Sequence, residues 1–245
     1  MLGVARHRFR APCGGQSRAQ WRSALVILGS GAFGARALDG EVLSAALAEL
    51  GLRRLLLVLR EDAVPRALSG LPVAALRVSW ERLPAALELA AQVRAPLVIL
   101  EPPALLGVER ACRQLFALAA GHPALKFCLA TPDGGALGQP AALGAVLEDL
   151  GGRRVGYWHR PSRARTSGLG DTPWLDALGR HLAGMSLDDL AEGQPGALPG
   201  LGSLDFSEAA DAVTPGLPVA LDVDPLADPG LLRFALDQLR TKGFA

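Results

Sequence analysis

Cysteine is scarce in this 245-residue chain and badly spaced for covalent or metal work: Cys13, Cys112 and Cys128 are odd in number and form no Cys-x-x-Cys pair. Neither a disulfide framework nor a zinc knuckle is built from such a set, and Cys128, inside an apolar run, reads as core filling. Net charge is nearly absent too, +1 from 25 Lys+Arg against 24 Asp+Glu. Such a balance gives no overall field to draw in nucleic acid or an acidic membrane. No apolar run approaches the roughly 20 residues that span a bilayer, and the N-terminus lacks the apolar core of a signal peptide. The chain therefore reads as soluble and cytoplasmic, with no membrane partner and with nucleic acid not expected.

What is present is apolar and ordered. Half the residues are hydrophobic and 20% are charged, which suits one large core, and a single α/β barrel takes about 250 residues. Residues 1–22 carry Arg6, Arg8, Arg10, Arg18 and Arg22 without an acid and read as a flexible basic tail. From residue 23 onward, short apolar runs alternate with helical patterns, the signature of successive βα units. Strands are expected at 25–28, 55–59, 73–78, 97–100, 125–130, 155–158, 185–187 and 219–223. Continuous apolar runs, rather than period-two alternation, belong to parallel strands covered on both faces. Asp39 is placed to cap a helix that runs through Leu50 and stops at Gly51. Pro173 sits near the start of a helix expected to end around Gly184, and Leu231, Leu232, Ala235, Leu236 and Leu239 form the apolar stripe of a last helix. The segment 61–70 allows only a short helix, broken by Pro65. The expected architecture is a single closed, parallel (β/α)8 TIM barrel over residues 23–245, with no internal domain boundary.

The first strand runs into Gly29-Ser-Gly31-Ala-Phe-Gly34, which satisfies the G-x-G-x-x-G pattern of dinucleotide-binding folds. That mechanism needs a helix starting inside the motif and an acid at the end of the next strand. Here the helical pattern starts after Asp39-Gly40 and the second strand ends in Arg60, so the glycines read as a βα loop lining the barrel mouth.

In a βα barrel, function sits at the C-terminal strand ends and the loops after them. Those positions supply Arg60, Glu61 and Asp62; Trp80 and Arg82; Glu101; Thr131 and Asp133; His159, Arg160 and Arg163; Asp188 and Asp189; Asp222 and Asp224. Glu101, His159, Asp188 and Asp222 are the candidates for acid-base chemistry. Arg60, Trp80, Asp133, Arg160, Arg163 and Asp189 are the candidates for ligand contact, the arginines as grips for a phosphate or carboxylate. The plainer alternative is that opposite charges around the rim pair with one another.

Two segments carry a resemblance: VGYWHRPSRA at 155–164 and GMSLDDLAEGQPGALPGLGSLDFSEAADAVTPGLPVALDVDP at 184–225, above all its Pro199-Gly-x-Gly-x-x-Asp-Phe run. Together they resemble the xylose-isomerase-like TIM-barrel superfamily, which holds sugar isomerases, sugar phosphate isomerases/epimerases and endonuclease-IV-type enzymes. Its metal-dependent members hold a divalent ion with a glutamate after the fifth strand, an aspartate after the sixth, a histidine after the seventh and a glutamate after the eighth. The resemblance maps these places onto Ala130, Arg160, Ser186 and Asp222. The first segment looks like a family Val-Gly-Tyr-Trp-His-Asp-x-x-His-Ala in which both polar anchors have become arginine, Arg160 and Arg163. One ligand-like position, Asp222, is retained, and a guanidinium in place of a carboxylate repels a divalent ion.

The resemblance therefore implies the family frame without its metal: no cofactor, and a non-catalytic protein that binds a small sugar-like molecule or a protein partner. An active isomerase or epimerase using displaced groups such as Glu101, Asp133 and Asp188, with a divalent metal, is the alternative. Nucleic-acid binding and nicotinamide chemistry rank below both.

Overall fold

The computed structural model describes residues 25–59, 65–150, 154–226, 228 and 230–244; the expected basic tail and Arg60 lie outside the described residues. The barrel strands are β1 (Leu25–Gly29), β2 (Leu55–Leu59), β3 (Val73–Ser79), β4 (Leu97–Glu101), β5 (Lys126–Ala130), β6 (Val155–His159) and β7 (Leu182–Leu187). A small hairpin of β8 (Asp189–Ala191) and β9 (Gln194–Ala197) then precedes the last barrel strand, β10 (Pro218–Leu221). The eight long strands close in the order β1-β10-β7-β6-β5-β4-β3-β2, and every pairing in the ring is parallel. This is the expected (β/α)8 barrel, closed between its first and last strands by the register Val26↔Val219.

The helices are α1 (Gly40–Leu50), α2 (Leu83–Val93), α3 (Val108–Gly121), α4 (Pro140–Asp149), α5 (Pro161–Thr166), α6 (Asp171–Leu178), α7 (Ser207–Asp211) and α8 (Leu231–Thr241). Asp39 caps α1 by accepting from the backbone of Glu41 and Val42, and Gly51 ends it in the left-handed region at φ 67°. On α8, Leu232, Ala235, Leu236 and Leu239 are buried as the stripe requires, while Leu231 is exposed. The glycine motif after β1 forms a short 3-10 turn over Ser30–Arg36 with Gly34 at φ 54°. No α-helix starts within it.

Strand alternation divides the core in two. Leu28, Leu57, Val98, Leu129, Tyr157, Met185 and Leu221 face outward and pack under the helices. Ile27, Leu56, Ala75, Ile99, Cys128 and Trp158 fill the barrel interior, the layered packing that makes such a barrel a solid core.

One expectation needs correction. The helix carrying Pro173 ends at Leu178, and β7 starts at Leu182, three residues earlier than expected. Ala183 and Gly184 look like a helix end but belong to the strand. A Cβ on Gly184 would stand 2.2 Å from the Trp158 ring, so the glycine is there to admit an indole into the barrel. Of the segment 61–70, residues 61–64 lie outside the described residues and 65–70 form no helix; Arg66 bridges Asp39 in parallel fashion.

The β8–β9 hairpin lies between the strands expected at 185–187 and 219–223, where no strand was expected. Glu192 and Gly193 turn it with φ 52° and 76°, the paired positive values of a type I′ turn. Asp189, at its base, accepts from the backbone N–H of Leu190 (2.8 Å), Gly200 (3.0 Å), Gly202 (3.2 Å) and Leu204 (2.8 Å). The Pro-Gly-x-Gly run thus has a physical reason: the chain wraps a buried carboxylate so closely that a Cβ on Gly202 would lie 2.4 Å from its oxygen. Asp205 then accepts from Ser207 N at the start of α7 (3.0 Å).

Candidate functional site

Inward-facing positions are apolar through the lower barrel and change character at the C-terminal strand ends. Arg77 on β3, Glu101 at the end of β4, Arg160 after β6, Ser186 on β7, Asp188 after it and Asp222 after β10 meet at the mouth. Trp158 Nε1 donates to Ser186 Oγ (2.9 Å), which donates to Asp222 Oδ2 (3.1 Å). The same oxygen lies 2.7 Å from Arg77 Nη1. Arg160 donates through Nη1 to Glu101 (2.9 Å) and through Nη2 to Asp188 (3.5 Å), whose other oxygen accepts from Ser162 Oγ (2.7 Å). Glu101 also faces Arg77 Nε at 3.7 Å. Around the rim, Arg163 pairs with Asp133. Four predicted residues, Glu101, Arg160, Asp188 and Asp222, are therefore brought together, with Arg163 and Asp133 flanking them.

Arg77 joins this group without having been expected. An arginine in the otherwise apolar run VAALRVS was the available signal, since it shares the inward parity of Ala75 and Ser79.

Burial sets the electrostatics. Burial favours loss of the Arg160 proton, but Asp188, Asp222 and Glu101 outweigh it and hold the guanidinium charged. Burial pushes the Asp188 carboxyl above its ordinary value, against the pull of Arg160 and the Ser162 hydrogen bond. Removing either partner of such a pair leaves a charge in a poorly solvated place.

The remaining candidates are committed elsewhere. His159 lies in the barrel wall, because period two turns Tyr157 and His159 outward when Trp158 and Arg160 face in. Its Nδ1 is 2.7 Å from Tyr157 Oη and its Nε2 is 2.8 Å from Asp171. Tyr157 Oη is 2.8 Å from Thr131 Oγ1, which accepts from Arg160 N (2.9 Å). Every group in this chain is satisfied with a neutral histidine that donates from Nε2 to Asp171 and accepts at Nδ1 from tyrosine. Burial raises the Tyr157 phenol well above its ordinary range, so it stays a donor. The network pins the backbone that launches Arg160. Asp189 is the hairpin clasp described above, and Trp80 donates from Nε1 to Gln114 on α3 (3.2 Å).

The family's divalent ion does not fit these residues. Ala130, Arg160, Ser186 and Asp222 offer one carboxylate, and that carboxylate is already held by Arg77 and Ser186. Two guanidinium groups sit among the acids where an ion would have to enter, and at such separations like charges repel strongly. Among the described residues, no three His, Cys, Asp or Glu side chains converge on a metal-sized space.

Beside this cluster opens a cavity of about 390 Å³, lined by Arg77, Arg82, Glu101, Arg160, Arg163 and Asp224 with Ser79 and the β9 residues Pro195 and Gly196. A larger, mainly apolar hollow of about 570 Å³ lies between the first βα turn, α1 and the start of α8. It carries no convergent set of chemical groups, so the smaller polar cavity is the better candidate site.

No family model matches the chain, and no curated protein does. Solved structures match in fold. An L-ribulose 3-epimerase superimposes at TM-score 0.67 and 13% identity, over 91% of this chain and 94% of its own. The IolI protein with a binding zinc atom does so at TM-score 0.68 and 11% identity, over 89% and 95%. A xylose isomerase-like TIM barrel/4-hydroxyphenylpyruvate dioxygenase fusion protein gives TM-score 0.67 and 17% identity over 89% of this chain; the chain spans 42% of that protein. The likeness is one of fold, and at that level it bears out the resemblance read in residues 155–164 and 184–225. No helix among the described residues is long and apolar enough to cross a membrane.

Proposed function

We propose that this chain is a sugar isomerase/epimerase-like barrel whose divalent-metal site has been replaced by arginine, leaving a non-catalytic protein that binds a small sugar-like ligand at the barrel mouth. The observation that carries this reading is the placement of Arg160 between Glu101 and Asp188, beside an Asp222 already taken by Arg77. Fixed cations of this kind neutralise the acids that would otherwise attract a divalent ion. They also hold the acids in ion pairs, where they serve poorly as proton carriers. The fold neighbours support the sugar-like class of ligand only by analogy.

Elemental analysis of the purified full chain tests the proposal. We expect no stoichiometric divalent ion after exposure to manganese, magnesium, cobalt or zinc. About one tightly held ion per chain, lost in Asp222→Asn, overturns the reading.

One observation favours a catalytic alternative. Asp188 is fully buried and burial pushes its carboxyl above the ordinary value, the direction in which an active site shifts a carboxylic acid that is to give a proton. That reading requires proton exchange at a carbon next to a carbonyl in a panel of small sugars and sugar phosphates. Exchange that disappears in Asp188→Asn would establish it; a silent panel favours the non-catalytic protein.

A further inference from the structure

Three arginines of the polar cavity share an incomplete hydrogen-bond inventory. Arg77 Nε, Arg160 Nε and Arg163 Nε are all buried, and none has a hydrogen-bond partner among the described residues. Arg77 and Arg160 are themselves 7% and 6% exposed. Arg77 Nη1 and Asp222 Oδ1 are also unaligned, but Arg77 Nη1 stands 2.7 Å from the other Asp222 oxygen, so a small rotation satisfies that pair internally. Arg77 Nε likewise has Glu101 Oε1 at 3.7 Å, which leaves Arg160 Nε and Arg163 Nε as the donors without an acceptor among the described residues. Leaving a buried donor unmade costs about 1–3 kcal/mol, more when it is charged. Two such donors beside one cavity call for an acceptor to receive them.

The lining itself is rich in donors. Of the described residues lining the cavity, Arg77, Arg82, Arg160 and Arg163 are cationic, and Glu101 and Asp224 are acidic. Asp133, Asp188 and Asp222, which pair with these arginines, do not line it. The acids therefore hold the guanidinium groups from other sides and leave the cavity a donor-rich face. A single water molecule offers these donors one oxygen. An oxyanion brings two or more oxygens to them at once, and a guanidinium presents the matching fork of donors.

We infer that this cavity is an oxyanion site, receiving the carboxylate or phosphate of a small hydroxylated acid on Arg77, Arg160 and Arg163. The inference rests on the ligand-binding reading above and narrows its ligand from any sugar-like molecule to an acidic one. The volume of about 390 Å³ suits a compound of sugar size, and Ser79 with Glu101 and Asp224 supplies partners for hydroxyl groups. The arginines that exclude a divalent cation would then serve as the fixed positive charge of the site.

Calorimetry and thermal melting of the full chain at low salt and pH 7 test this with four probes: gluconate, glucose 6-phosphate, inorganic phosphate and neutral sorbitol. We expect gluconate or glucose 6-phosphate to bind at least 10-fold more tightly than sorbitol, with affinity falling as salt rises. A preference for gluconate assigns a carboxylate, and a preference for either phosphate probe assigns a phosphate. Arg163→Gln is the informative variant, because this side chain is 30% exposed and stands at the rim of the network, so the fold survives its loss. It should weaken the acidic probe about 10-fold while the melting midpoint of the free protein stays within a few degrees. Sorbitol bound as tightly as gluconate, no binding of any charged probe, or undiminished binding in Arg163→Gln overturns the oxyanion site. None of these restores a metal, so the elemental analysis judges the metal-free reading separately.

Discussion

Arg77 and Asp222 form an ion pair inside the barrel, Nη1 to Oδ2 at 2.7 Å, with side chains 9% and 0% exposed. They stand on β3 and just after β10, and the pair spans the mouth. Breaking a buried pair from one side costs far more than replacing it whole, because the surviving charge is left unsolvated. Asp222→Leu alone should destabilise the protein by about 3 kcal/mol in urea unfolding. Arg77→Met combined with Asp222→Leu should recover most of that loss. Two single effects that simply add would show the pair to be energetically idle.

Trp158 and Gly184 give a steric counterpart. The indole occupies the space where a Cβ on residue 184 would stand, 2.2 Å from its ring. Gly184→Ala must therefore move a fully buried tryptophan or bend β7, and such overpacking costs about 1–3 kcal/mol. The indole N–H to Ser186 Oγ bond should be lost with it, shifting tryptophan fluorescence. Trp158→Phe in the same chain should relieve the strain, so the double variant should be more stable than Gly184→Ala alone. A Gly184→Ala protein as stable as the parent would show that the ring has room to move.

These two pairs mark where the sequence was legible and where it was not. Seven of the eight strands start within a residue of their expected place, because a strand covered on both faces must be a continuous apolar run. β7 was the exception, since its small residues make sense only once Trp158 is known to lie across them. Glu101, Arg160, Asp188 and Asp222 were legible as site residues because strand ends define a barrel mouth. Arg77 was hidden within a strand, one layer below the positions that strand ends bring to view. In sequence His159 reads as a candidate for acid-base chemistry and Asp189 as a candidate for ligand contact. The partners that hold them, Asp171 for one and the 200–204 backbone for the other, lie 11 to 15 residues away along the chain, and no periodicity predicts those closures.

Cys128 faces the barrel interior at 0% exposure, and burial pushes its thiol up to about 12. Since the thiolate is the reactive form, Cys128 should resist iodoacetamide in the native protein at pH 8 and label only at the rate of unfolding. Cys112, half-buried on α3 with its thiol also raised by burial, should label slowly. Peptide mapping after timed alkylation separates them. Rapid native labelling at Cys128 would mean that the barrel opens far more readily than its packing implies.

Asp188 gives the pH dependence its sign. Its folded carboxyl titrates above the ordinary 3.8, chiefly through burial, with Arg160 and Ser162 opposing. Below about pH 3.8 the group is protonated in both folded and unfolded chains, and its contribution to stability is fully present. As pH rises, the unfolded chain releases this proton first, so stability is lost progressively until the folded group also ionises; above that point the contribution is flat. Asp39 and Asp205 run the other way, because backbone hydrogen bonds from Val42 and Ser207 lower their carboxyls. Their stabilisation is present above pH 3.8 and lost as pH falls. The total profile therefore mixes both signs, and subtracting the Asp188→Asn curve isolates the first. The parent minus variant difference in urea stability should decline from pH 3.5 upward and then level off. A difference that instead grows with pH would show that the Arg160 pairing outweighs burial, making Asp188 a carboxylate held ionised by its arginine; that outcome would also remove the one observation favouring it as a proton donor.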